Sequence, residues 1–222
     1  MDASMSMMWM PMPGQSWPGA AVSFLGMWVV MMAAMMLPVL IPMLWRYRAA
    51  VTTTGVTRLG GLTAVVTTGY FFVWAMLGLV VFVLGAELMA LEMQRPALAR
   101  AAPILAGVVV LASGVLQFTA WKARRLACCR ETPICDCVSP TTIVTAWRYG
   151  LRIGLNCSYC CAGLTAALLA IGVMDLGAMA VVTAAIWLER LSPAGKRMAR
   201  AIGAVAVATG ILMAVGTIPA NS

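Results

Sequence analysis

The sequence predicts an all-α fold: a polytopic membrane protein built as a bundle of about six transmembrane helices. Both termini are expected outside, with one long cytoplasmic loop carrying an interfacial helix. Three observations carry this expectation. The 222 residues are 63% hydrophobic and 10% charged, with a mean hydropathy of +0.95, whereas soluble globular chains run nearer half apolar and a quarter charged. Apolar stretches suited to a bilayer core of about 30 Å recur along the chain. Basic residues gather at alternate ends of those stretches, as the positive-inside rule requires.

Residues 1–18 form a Met-rich extracytoplasmic segment. They carry Asp2, lack a basic start and are interrupted by Pro11, Pro13 and Pro18, so no secretory signal is expected. Residues 19–121 hold the first three helices, at about 20–45, 62–86 and 101–121. Residues 122–155 form a Cys-rich cytoplasmic loop that ends in an amphipathic stretch from Thr141 to Leu151. There Ile143, Val144 and Trp147 oppose Arg148 and Arg152, the pattern of a helix lying in the interface. Residues 156–222 hold helices four to six, at about 156–173, 176–191 and 200–218, the fourth and fifth joined by a tight turn near "VMD".

Orientation follows from charge. Arg46, Arg48 and Arg58 lie in the first loop, Lys122, Arg124, Arg125, Arg130, Arg148 and Arg152 in the third, and Arg190, Lys196, Arg197 and Arg200 in the fifth. That places 13 of the 15 basic residues on one side, the cytoplasmic one. A multi-pass protein of a bacterial cell (inner) membrane is expected, its first partner being the lipid bilayer. The net charge of +8 is explained by these flanking residues and does not point to nucleic acid. Small residues at four-residue spacing, Ala206, Gly210 and Ala214 or Gly163 and Ala167, read as helix-packing seams.

Sulfur is the unusual feature. The stretch "MWVVMMAAMMLPVL" sets Met27, Met31 and Met35 four residues apart on one helix face, with Met32 and Met36 as a second row. Thioether sulfur is soft and uncharged, which suits Cu(I). Methionine is also a flexible filler of irregular helix interfaces. The first twelve residues add Met1, Met5, Met7, Met8, Met10 and Met12, in a proline-broken segment with no core to fill.

The seven cysteines fall in two groups. Cys157, Cys160 and Cys161 stand at i, i+3 and i+4 where the fourth helix is expected to begin, and thiolate is favoured at a helix N-terminus. Cys128, Cys129, Cys135 and Cys137 lie in the loop, as adjacent and near-adjacent pairs rather than the spaced knuckles of a structural zinc site. Such pairs fit low-coordinate Cu(I), with zinc or reversible disulfides as alternatives. Elsewhere, Glu189 and Arg190 read as interfacial anchors, and Gln117 as a helix-to-helix hydrogen bonder.

The runs "MWVVMMAAMMLP", "QFTAWK", "CCR", "CSYCCAG", "GVMDLGAMA" and "ERLSPAGK", in that order over residues 20–215, resemble an uncharacterised bacterial family of predicted metal-binding integral membrane proteins, a domain of unknown function. The resemblance implies the membrane fold and metal binding. The chain departs from that family at Arg125, where a cysteine is usual, and at Asp175, where asparagine is usual; the extra Cys128 stands near the former.

The function expected is a membrane Cu(I)-binding protein that captures, transfers or delivers copper through Met27, Met31, Met35 and the cysteines. Delivery to a membrane copper enzyme or oxidase complex fits. So does a non-catalytic accessory subunit of a membrane-bound oxidase or copper monooxygenase, a thiol-redox membrane protein, or a structural subunit with incidental sulfur. A catalytic copper centre is disfavoured, because oxygen-activating copper relies mainly on imidazole and the chain contains no histidine.

Overall fold

The computed structural model describes residues 16–52, 58–124, 142–173, 175–192 and 194–216, with backbone alone for 96–100. Among the described residues there is no strand. The helices are α1 (Trp17–Thr52), α2 (Leu59–Gln94), α3 (Pro96–Leu116), α4 (Ile143–Ile171), α5 (Leu176–Leu191) and α6 (Gly195–Ala214), and residues 120–124 add a short helical stretch after α3. By length and composition α1, α2, α4 and α6 are able to cross a membrane, and Ala101–Leu116 within α3 is a shorter apolar helix.

α1, α2 and α4 outrun the apolar stretches that predict them, while α3 and α6 begin and end about five residues earlier than expected. α1 continues past its expected end through Arg46 and Arg48, and α2 through Glu87 and Glu92. The largest difference is α4. The expected interfacial helix and the expected fourth span are one helix of 29 residues. Its start is fixed by Thr142, whose hydroxyl accepts from the Thr145 backbone N–H while Thr145 Oγ1 accepts from the Thr142 N–H, the reciprocal arrangement that satisfies two otherwise orphan donors. It ends at Gly172, which takes φ +135°, a conformation that side-chain-bearing residues rarely adopt. Arg148 and Arg152 are exposed on a helix whose opposite face is packed, which explains the amphipathic pattern without an interfacial helix.

That packed face meets α2. A Cβ on Gly150 would overlap the Val66 carbonyl, and one on Gly154 would lie 3.0 Å from the Tyr70 carbonyl. Absent side chains therefore let the two backbones approach closely. α3 and α6 form a second close pair, in which Gly210 meets the backbone of Leu111 and Gly107 that of Ala214. This is the small-residue seam expected at Gly210 and Ala214. α4 also contacts α3 and α5, which makes it the central helix.

One buried apolar cluster joins α1, α2, α4 and α5. Trp28 is fully buried in it and donates from its indole nitrogen to the Trp74 carbonyl at 2.9 Å. The outward faces are apolar too, with Val30, Trp45, Val80, Leu84, Leu88, Val181 and Val205 all exposed.

Candidate metal site

Cys157 is the fifteenth of the 29 residues of α4, so the cysteine group lies in mid-helix. The expected helix N-terminus beside it is fifteen residues away, beyond the first turn over which the helix dipole acts. Any stabilisation of thiolate here must come from side chains.

All three cysteines are buried and stay out of disulfides. Cys157 and Cys161, one turn apart, face the main cluster, and one guanidinium nitrogen of Arg190 lies within 3.6 Å of both sulfurs. Cys160 packs separately, with Ala199 of α6 and Met43 of α1. The i, i+3, i+4 spacing thus divides two and one, because α4 is surrounded and its adjacent faces meet different neighbours.

Two side chains from other helices reach the Cys157–Cys161 pair. Tyr70 of α2 donates its hydroxyl proton to Cys157 Sγ at 3.1 Å. Arg190 of α5 directs one guanidinium nitrogen, Nη2, to Cys157 Sγ at 3.2 Å, Cys161 Sγ at 3.6 Å and the Cys157 carbonyl at 3.3 Å. A cation and a hydroxyl from two other helices thus converge on these sulfurs inside an apolar interior.

A second charged group lies beside it. Lys122 pairs with Glu189 at 3.0 Å and donates to the Cys160 carbonyl, while Gln117 Nε2 donates to Glu189 Oε1 at 2.6 Å. Lys122, Glu189, Arg190 and Gln117 are all buried. The expectation that Glu189 and Arg190 are interfacial anchors is therefore corrected. Glu189 has its countercharge on the segment after α3, and Arg190 directs Nη2 to sulfur and carbonyl acceptors on α4, so both face into the bundle. Gln117 does bond across helices, as expected.

The methionine rows are core residues. Met31 and Met35 are buried and Met27 is half-buried against the same cluster; Met32 and Met36 are fully buried. The Met35 carbonyl accepts from the Trp187 indole at 2.8 Å, which ties α1 to α5 one turn before Arg190. The soft sulfur of Met27, Met31 and Met35 on α1 and the thiols of Cys157 and Cys161 on α4 thus share one continuous cluster. Cys128, Cys129, Cys135 and Cys137 of the loop, and the methionines of residues 1–12, lie outside the described residues.

The pair fits a soft ion of low coordination number. Among the described residues no group of three His, Cys, Asp or Glu side chains converges as a metal site, so a closed four-coordinate zinc centre is not assembled there. Two thiols with thioethers in the same cluster suit Cu(I). Tyr70, Lys122 and Arg190 are the partners that reading the sequence missed. The available signal was charge inside strongly apolar surroundings, as at Glu189 and Arg190.

No curated protein and no solved structure matches the chain. A family model described as PpoB2, copper chaperone, matches residues 25–213. It is metal-related, in line with the resemblance drawn from the motif order, and its description names copper and gives zinc no support. Matched along most of its length, the chain belongs to the PpoB2 copper chaperone family.

Proposed function

We propose that this copper chaperone lies in a bacterial cell membrane and handles Cu(I) through a path of neutral thioethers and buried thiols. Met27, Met31 and Met35 on α1 hold the ion in passing, and Cys157 with Cys161 forms the tighter site. The carrying observation is that the methionine stripe and the thiol pair occupy one buried cluster. Thioethers leave no stranded anion when the ion departs, which favours transit through an apolar interior. Exposed apolar faces along helices of membrane-spanning length support the membrane reading.

Copper is cargo here, and its recipient is a copper protein, with a membrane copper enzyme or oxidase complex as the proposed one. A thiol–disulfide exchange role is less well supported, because Cys157 and Cys161 are both buried from solvent, where exchange needs access for the attacking thiolate. The test is copper content of protein purified in detergent under reducing conditions. Replacing Cys157 and Cys161 by serine is expected to remove most of the tightly held Cu(I) while the helical circular-dichroism signal stays intact. Unchanged copper content in that folded variant would sink the assignment of the site.

A further inference from the structure

Cys160 stands apart from the thiol pair but not from soft sulfur. It is buried where α4 meets α6, packed with Ala199, and the side chain of Met43 from α1 lies against that small cluster. Met43 also packs against the main cluster that holds Cys157 and Cys161, so it joins the two. Its place in the sequence continues the stripe of Met27, Met31 and Met35, with Val39 at the intervening step of four residues. The backbone of Cys160 is held by Lys122, whose ammonium donates to the Cys160 carbonyl. A thiol and a thioether from two different helices therefore meet on the side of α4 that the pair does not use.

From this arrangement we infer that Cys160 and Met43 form a second site for a soft monovalent cation, next to the pair and reached from it. The inference rests on the copper path proposed above and extends it by one step. Binding at Cys160 releases the thiol proton, because the thiolate is the ligating form. One thiolate, one monovalent ion and one neutral thioether sum to zero charge, which suits an apolar interior. Cys160 stands three residues from Cys157, so their Cβ atoms are about 5–6 Å apart, and an ion can change ligands without leaving the bundle. Two thiolates hold a soft cation more tightly than a thiolate with a thioether, which makes the pair the resting position and Cys160 the position of departure. Met43 is half-buried, so one of the two ligands reaches the bundle surface.

Both residues also serve as core filler, and filler does not respond to metal. The test titrates the full-length protein in detergent with Ag(I), a redox-inert stand-in for Cu(I), and follows carbon-labelled methionine methyl groups by NMR. The Met43 signal is identified by its loss in Met43→Leu. It is expected to shift as Ag(I) is added to wild type, and to shift still in Cys157→Ser/Cys161→Ser, where the pair is absent. Adding Cys160→Ser to that variant should hold the signal in place. In the same background Met43→Leu, which keeps volume and apolarity, should weaken Ag(I) binding at Cys160 by about tenfold or more, since even an outer partner of a metal ligand is worth about tenfold. That affinity is read in competition with dithiothreitol, as the part of the binding that Cys160→Ser removes.

A Met43 signal that Ag(I) leaves unmoved in folded wild type overturns the inference, and the thiol pair still stands. A shift that persists in the folded triple serine variant overturns it too, because the ligand is then not Cys160. If the triple variant does not fold, the wild-type protein and Met43→Leu decide, and equal Ag(I) affinity of the two sinks the second site. Should Cys157→Ser/Cys161→Ser keep all its Cu(I) while Met43 responds only when Cys160 is present, the pair is wrong and the site at Cys160 and Met43 is upheld.

Discussion

Lys122 and Glu189 form an ion pair of 3.0 Å in which both side chains are almost fully buried, at 5% and 3% exposure. The pair ties three parts of the chain together. Lys122 follows α3, its ammonium also donates to the Cys160 carbonyl on α4, and Glu189 belongs to α5, where it accepts from Gln117. Cys157 and Cys161 lie on the helix so clamped, and Arg190 is the residue next to Glu189.

A buried pair broken on one side leaves an uncompensated charge, which costs about 3–5 kcal/mol. Lys122→Met is therefore expected to lower the thermal unfolding midpoint in detergent strongly. Replacing both partners, Lys122→Met with Glu189→Leu, removes both charges and should restore most of the loss. A single variant as stable as wild type would show that the pair does not hold α3, α4 and α5 together.

Tyr70 permits a gentler perturbation of the thiol pair. Tyr70→Phe keeps the buried ring and deletes only the hydroxyl that donates to Cys157 Sγ. One lost hydrogen bond is worth about 1 kcal/mol, or roughly fivefold in an equilibrium constant. The variant should fold, and its Cu(I) affinity in competition with a chromophoric chelator should weaken by about that factor. Unaltered affinity would place the Tyr70 hydroxyl outside the site.

The departure from the resembled family at Asp175 has a structural explanation. Asp175 caps α5, its Oδ1 accepting from the backbone N–H groups of Gly177 at 2.7 Å and Ala178 at 3.1 Å. Aspartate and asparagine serve about equally at this position. Asp175→Asn should leave stability within error, whereas Asp175→Ala should cost about 1 kcal/mol, read from the unfolding midpoint.

The fold was largely legible because helices of this kind announce themselves by apolar length. α5 runs over 176–191, as the sequence predicts. The other ends were less legible, since hydropathy marks the apolar part of a helix, while the backbone ladder continues through Arg46, Arg48, Glu87 and Glu92 without regard to polarity. In α4 the exposed Arg148 and Arg152 suggested a separate element, and the decisive fact, the contact of Gly150 with Val66, is tertiary. The site divides the same way. Its sulfur was conspicuous in the sequence, but Tyr70 lies 87 residues and Arg190 33 residues from Cys157, and no local pattern joins them.

The methionine stripe is open to a test that separates ligand from filler. Met31 and Met35 are buried and Met27 is half-buried, so all three contribute packing whatever else they do. Leucine conserves volume and apolarity, and each exchange should cost less than about 1.5 kcal/mol. The neighbouring Met32 and Met36, both fully buried, supply the control, because their packing duty is at least as heavy. Met27→Leu/Met31→Leu/Met35→Leu should fold and insert yet lose copper-dependent growth and show slower Cu(I) loading of Cys157 and Cys161. Met32→Leu/Met36→Leu should lose no more than its stability cost explains. Selenomethionine, which keeps a soft donor at every position, should preserve loading. If the triple leucine variant loads copper as fast as wild type, the stripe is packing alone, and the thiol pair on α4 receives its ion by another path.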